Sequence, residues 1–145
     1  MILIGTFLLI LAYSILGKDV KPLLERVKNI DWRGKFADLM NKLRPWALKA
    51  GRLAARQLLQ FYYVMEDEKT STLDRVLIYA AIAYTIFPFD LIPSVVYKFL
   101  GVLDDGMAML YVYKKIKGKI TPAINLKVEE TLNEWFGAEY EIIED

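Results

Sequence analysis

The chain is 145 residues long, carries 19 Lys+Arg against 18 Asp+Glu for a net charge of +1, and is 55% hydrophobic and 13% aromatic, with neither Cys nor His. That composition excludes a disulfide framework, a thiol nucleophile, an imidazole base and the common zinc sites. It is also too apolar for a disordered chain, and its length is that of one domain.

The chain opens on MILIGTFLLILAYSILG, Met1 to Gly17, which has no charged side chain. A helix of that length lies at the lower end of what crosses about 30 Å of hydrocarbon. A cleaved signal peptide wants a basic residue ahead of the apolar run and a small-x-small cleavage site, and neither is present. A buried helix of a globular fold is the other competitor. We read residues 1–17 as an uncleaved membrane anchor. Lys18, Lys21, Arg26 and Lys28 follow closely. The positive-inside rule then puts the bulk of the chain on the cytoplasmic side. Lys18 and Lys21 become expected contacts with membrane lipid.

Charge is unevenly spread. Residues 18–60 hold 11 basic and 4 acidic side chains, residues 61–119 hold 7 of each, and residues 120–145 hold 1 and 7. A basic segment beside an anchor suits an anionic leaflet. The competing reading is that the basic and acidic segments pair with each other inside one fold.

From residue 18 onward nearly every stretch reads as helix, punctuated by Pro, Gly and Asp. Pro22 is placed to open a helix over Leu23 to Ile30, and Asp31 to cap one from Trp32 to Leu43. Pro45 then opens a long helix from Trp46 to Met65. On it Lys49, Arg52, Arg56 and Gln60 form one narrow polar stripe against a wide apolar face. Such a helix either lies in a membrane interface or forms a core with a basic edge. Arg52 and Arg56 are the expected contacts in the first case. No nucleic-acid fold signature accompanies them, so no nucleic acid is expected.

Glu66 to Ser71 is the clearest hydrophilic break and divides a basic helical arm, residues 18–66, from a compact unit, residues 70–137. Ser71 and Asp74 resemble a capping box. Val76 to Phe89 carries no charge, as suits a helix buried in protein or in lipid. Pro88 breaks it, Asp90 can cap the next helix with Pro93 in its first turn, Gly101 can end that helix, and Asp104 can cap Asp105 to Lys117. Lys114, Lys115 and Lys117 favour its carboxyl end, and Gly118 stops it. Thr121 and Pro122 then open an amphipathic helix whose Ile124, Val128, Leu132, Trp135 and Phe136 share a face, with Gly137 as its stop. Residues 138–145 are an acidic tail.

The stretch PFDLIPSVVYKFLGVLDD, residues 88–105, resembles the YkvA-like family (domain of unknown function 1232). The resemblance rests on Pro88, Asp90, Leu91, Ile92 and Pro93, followed by Gly101, Leu103, Asp104 and Asp105, and extends over roughly residues 70–118. Ser94 stands where members usually carry Asp, and Tyr97 near a second family Pro. The resemblance implies a compact helical hairpin at membranes in a small bacterial protein and supplies no reaction.

Taken together, the residues lead us to expect an all-α protein: a membrane anchor helix, an amphipathic arm, a helical hairpin module and an amphipathic C-terminal helix. Its expected work is non-enzymatic and cofactor-free, the holding of a protein or lipid partner, with Trp46, Phe61, Trp135 and Phe136 as further contacts. Two alternatives accompany this. One is a divalent-metal site at Asp90, Asp104 and Asp105. The other is an accessory subunit of a transport or envelope complex, which needs both Met1 to Gly17 and Val76 to Phe89 in lipid.

Overall fold

The computed structural model describes residues 2–86 and 105–137, and among them every regular element is helical. The helices are α1 (Ile2–Ile15), α2 (Lys21–Glu25), α3 (Trp32–Ala50), α4 (Arg52–Glu66), α5 (Thr72–Ile86), α6 (Asp105–Ile116) and α7 (Pro122–Phe136). A 3₁₀ turn at Lys117–Lys119 joins the last two.

The centre of the fold is α5. Every residue from Val76 to Tyr84 is buried, because α1, α3, α4 and α6 surround the helix. A helix apolar all round needs such a coat, and here the coat is protein. Phe7 of α1 stacks on Trp32 of α3 with ring centres 5.7 Å apart and meets Tyr79 of α5 edge-on at 5.0 Å. Trp32 continues to Phe36 at 5.7 Å, and Phe36 meets Tyr62 of α4 at 6.3 Å. One aromatic seam therefore ties four helices together. Residues from both sides of the Glu66–Ser71 break belong to the same core.

The anchor reading of residues 1–17 is corrected here. Phe7, Leu8, Ile10, Leu11 and Ala12 are at most 1% exposed, and α1 packs along α5. At about 1.5 Å per residue α1 is about 21 Å long, short of about 30 Å of hydrocarbon. No helix among the described residues is long and apolar enough to cross a membrane. The end of α1 is sharply built. Gly17 has φ +76°, its N–H donates to the Ser14 carbonyl at 3.2 Å, and the Lys18 N–H donates to the Tyr13 carbonyl at 2.8 Å. These are the paired bonds of a Schellman ending, and the Lys18 ammonium lies 5.6 Å from the centre of the Tyr13 ring. With no span here, the orientation inferred from Lys18, Lys21, Arg26 and Lys28 loses its premise. The accessory-subunit alternative loses its two lipid segments as well, since the described part of Val76 to Phe89 is core.

The helix boundaries around Pro45 also differ from expectation. Pro45 lies inside α3, on its exposed side, while Leu39, Leu43 and Ala47 hold the other side in the core at four-residue spacing. That burial outweighs the one hydrogen bond a proline forfeits. The break falls at Gly51, with φ +104° and ψ 168°, a backbone state that L side chains rarely adopt. Its N–H closes α3 on the Ala47 carbonyl at 2.9 Å, and its carbonyl accepts from Ala55 at 3.0 Å to start α4. Near Pro22 the helix is a single turn, Lys21–Glu25, rather than a run to Ile30. Trp32 opens α3 as expected, though Asp31 makes no side-chain cap bond.

The later punctuation falls where the sequence puts it. Ser71 Oγ accepts from the Asp74 N–H at 3.2 Å, Thr121 Oγ1 accepts from the Ile124 N–H at 3.2 Å, and Gly137 ends α7 at φ +87°. Gly118 is the exception, since α6 ends at Ile116 and Gly118 sits inside the 3₁₀ turn.

Candidate functional site

The narrow polar stripe on α4 turns inward onto α7. Arg52 donates from Nη2 to Asn133 Oδ1 at 2.7 Å and from Nη1 to the Gly137 carbonyl at 3.2 Å, with its guanidinium 6.0 Å from the Phe136 ring centre. Arg56 donates to both Glu129 oxygens, and Gln60 donates from Nε2 to Asn125 Oδ1 at 3.1 Å. Residues 52, 56 and 60 climb α4 in steps of four while 133, 129 and 125 descend α7 in the same steps, so two antiparallel helices are locked in register. The Tyr63 hydroxyl and Thr131 Oγ1, 2.6 Å apart, add a further tie. Arg52 and Arg56, expected as membrane contacts, thus make hydrogen bonds within the chain. Trp46, Trp135 and Phe136 pack partly buried against the core, and Phe61 is fully buried within it. Lys18 and Lys21 are exposed.

Asp74 is buried, and its carboxylate pairs with the Lys119 ammonium at 2.5 Å. Ser71 caps its backbone N–H, but the reciprocal half of a capping box is replaced by this longer tie from the start of α5 to the turn before α7. Three tyrosines are shifted upward. Burial, with Asp38 as a smaller cause, pushes Tyr79 up to about 12. Burial also raises Tyr62, helped by Glu66, and raises Tyr63 against the opposing bond to Thr131. Phenols held this way are hydrogen-bond groups rather than nucleophiles at neutral pH.

The motif residues Pro88, Asp90, Leu91, Ile92, Pro93, Gly101, Leu103 and Asp104 lie outside the described residues. Asp105 opens α6. Among the described residues no group of three or more Asp, Glu, His or Cys is placed to hold a metal ion.

What the described surface does offer is an apolar groove. It is lined by Trp46 of α3, Ala54, Gln57 and Leu58 of α4, Thr85 of α5, and Met109, Leu110 and Tyr113 of α6, with a volume of about 560 Å³. Leu110 in its α6 wall is 52% exposed, and elsewhere on α4 Leu53, next in sequence to the lining Ala54, is 80% exposed. Leu110, Tyr113 and Lys114 follow one another at the i, i+3, i+4 spacing of one face of α6, with the exposed Lys117 opening the 3₁₀ turn that follows, while Val112 and Ile116 point into the core. Sequence reading missed this surface. The spacing on α6 was its only local signal, because the opposite wall comes from residues more than fifty positions earlier.

A family model described as a protein of unknown function (DUF1232) matches residues 74–111, within the stretch where the motif pointed. The match begins at the buried Asp74 and ends within α6 at Tyr111. No curated protein and no solved structure matches the chain.

Proposed function

We propose that this chain is a non-catalytic helical module that holds a protein or lipid partner at the cytoplasmic face of a bacterial membrane. It would attach through its surface, because its apolar N-terminal helix is occupied by its own core. The observation that supports this reading is the apolar groove between α3, α4 and α6, with the half-exposed Leu110 in its wall. Large apolar side chains grouped at a groove mark interaction surfaces more often than accidents of packing.

Fractionation of cells making the full chain tests it. The chain is expected in the membrane fraction at low salt and in the wash at high salt. Crosslinking before lysis then identifies any protein held there. A chain found wholly in the soluble fraction at low salt overturns the proposal.

A further inference from the structure

The helices that wall the groove share a second property, which concerns charge. From Leu39 to Met65 the chain has no acidic residue, and from Gly106 to Val128 it has none either. Each of these two stretches carries five Lys or Arg. The first supplies the groove walls from α3 and α4, and the second supplies the wall from α6. Arg52 and Arg56 are spent on α7, but Lys49, one turn beyond Trp46, Lys114, on the face of Leu110 and Tyr113, and Lys117, in the turn that follows, are exposed.

The geometry points to this groove as a docking surface for anionic phospholipid. The inference rests on the function proposed above and deepens it by naming the ligand class and the face. Exposed leucines can enter the boundary between headgroups and acyl chains, as the apolar side of an interfacial helix does. Tyr113 is suited to the headgroup level, where an aromatic body and a polar tip are both satisfied. Lys114 and Lys117 can lay their alkyl stems along the same apolar strip and place their ammonium groups among phosphates. An anionic leaflet attracts each nearby lysine, and no acidic residue lies in residues 39–65 or 106–128 to repel it. Seven of the chain's 18 acidic residues fall in residues 129–145, beyond both stretches.

The test is sedimentation of the full chain with vesicles of pure phosphatidylcholine and with vesicles in which a third of the lipid is phosphatidylglycerol. The wild type is expected to pellet with the anionic vesicles, to be released by high salt, and to stay in solution with the neutral ones. Lys114→Glu with Lys117→Glu is expected to lower anionic-vesicle partitioning at least tenfold. Leu110→Ser with Tyr113→Ser should do the same, whereas Lys21→Glu with Lys28→Glu should change it less than threefold for an equal change in net charge. Thermal melts of each variant show whether the fold persists. Trp46 supplies a direct reading on the native sequence: emission should shift to shorter wavelength with anionic vesicles, and Trp46→Phe should remove most of that shift.

Equal binding to both vesicles, equal loss from the two lysine pairs, or no vesicle binding overturns the inference. If vesicle binding fails while the chain still fractionates with cell membranes, the partner is a protein and the broader proposal survives. If the groove variants instead abolish self-association in the absence of lipid, the groove is an interface between copies and the lipid inference is wrong.

Discussion

The Arg56 guanidinium and the Glu129 carboxylate meet across α4 and α7, with Nε at 2.9 Å and Nη2 at 2.8 Å from the same oxygen, Oε1. Both side chains are part-exposed, so the pair is screened by solvent and contributes about 1 kcal/mol or less. Its larger value is registration. Arg52 with Asn133 and Gln60 with Asn125 flank it one turn away on either side, and a slip of α7 along α4 would break all three ties at once.

A double-mutant cycle measures the pair. Arg56→Ala and Glu129→Ala are each expected to destabilise, with a coupling of about 0.5–1 kcal/mol that shrinks in high salt. Urea unfolding gives both quantities. Strictly additive single effects would show that the pair contributes no interaction energy of its own.

Gly51→Ala isolates backbone strain. A Cβ at Gly51 would meet nothing within 4 Å, so any cost comes from φ +104° alone. A loss of about 1–3 kcal/mol is expected, seen as a lower melting temperature. Gly118 is equally open but does not have a positive φ, so Gly118→Ala should change stability by about 0.5 kcal/mol or less. Similar effects at the two positions would refute the strain account.

Leu11→Ala separates a core helix from a lipid helix. Leu11 is fully buried against protein, and truncation should cost about 2–5 kcal/mol of global stability. A helix residing in lipid would leave the unfolding of the rest of the chain nearly unchanged.

Alkaline pH should unfold the protein through its tyrosines. Tyr79 is held near 12 against an ordinary value of about 10. A group whose folded pKa is raised gives stability that is complete below the unfolded value, and that stability is lost as pH climbs from about 10 to about 12. Tyr62 and Tyr63 act in the same direction. The denaturation midpoint should therefore fall over that window, and less steeply in Tyr79→Phe. A midpoint independent of pH there would contradict the burial of these phenols.

Thr121→Ala tests the helix cap. Losing the Oγ1 bond to the Ile124 N–H should cost about 1 kcal/mol, and Thr121→Ser should restore most of it. No rescue by Ser would mean that the methyl group matters more than the hydroxyl.

Features governed by a few neighbouring residues were legible in the sequence. Thr121, Pro122 and Gly137 bound α7, and the Val76 stretch is a helix buried on all sides. Features governed by distant partners were not. Residues 2–15 have the same apolar pattern whether lipid or α5 covers them, and α5 lies some seventy residues further on. Pro45 reads locally as a helix start, yet Leu43 and Ala47 on either side are anchored in a core assembled from α4 and α5. Arg52 and Arg56 read as a free basic stripe until α7 is folded back onto them. The groove combines one legible face, Leu110 to Lys114, with a wall that no local pattern announces.

The pairing of α1 with α5 has a consequence for synthesis. Helix α1 leaves the ribosome well before the helix that covers it, since about seventy residues separate the end of α1 from the end of α5. At about 5–20 residues per second, α1 waits roughly 4–14 s with its apolar side chains uncovered. Throughout that interval the nascent chain presents a charge-free apolar segment followed by lysines, the pattern that targeting factors and chaperones survey. Each molecule thus passes through a stage at which α1 is readable as a membrane segment, and prompt completion of α5 is what withdraws that signal.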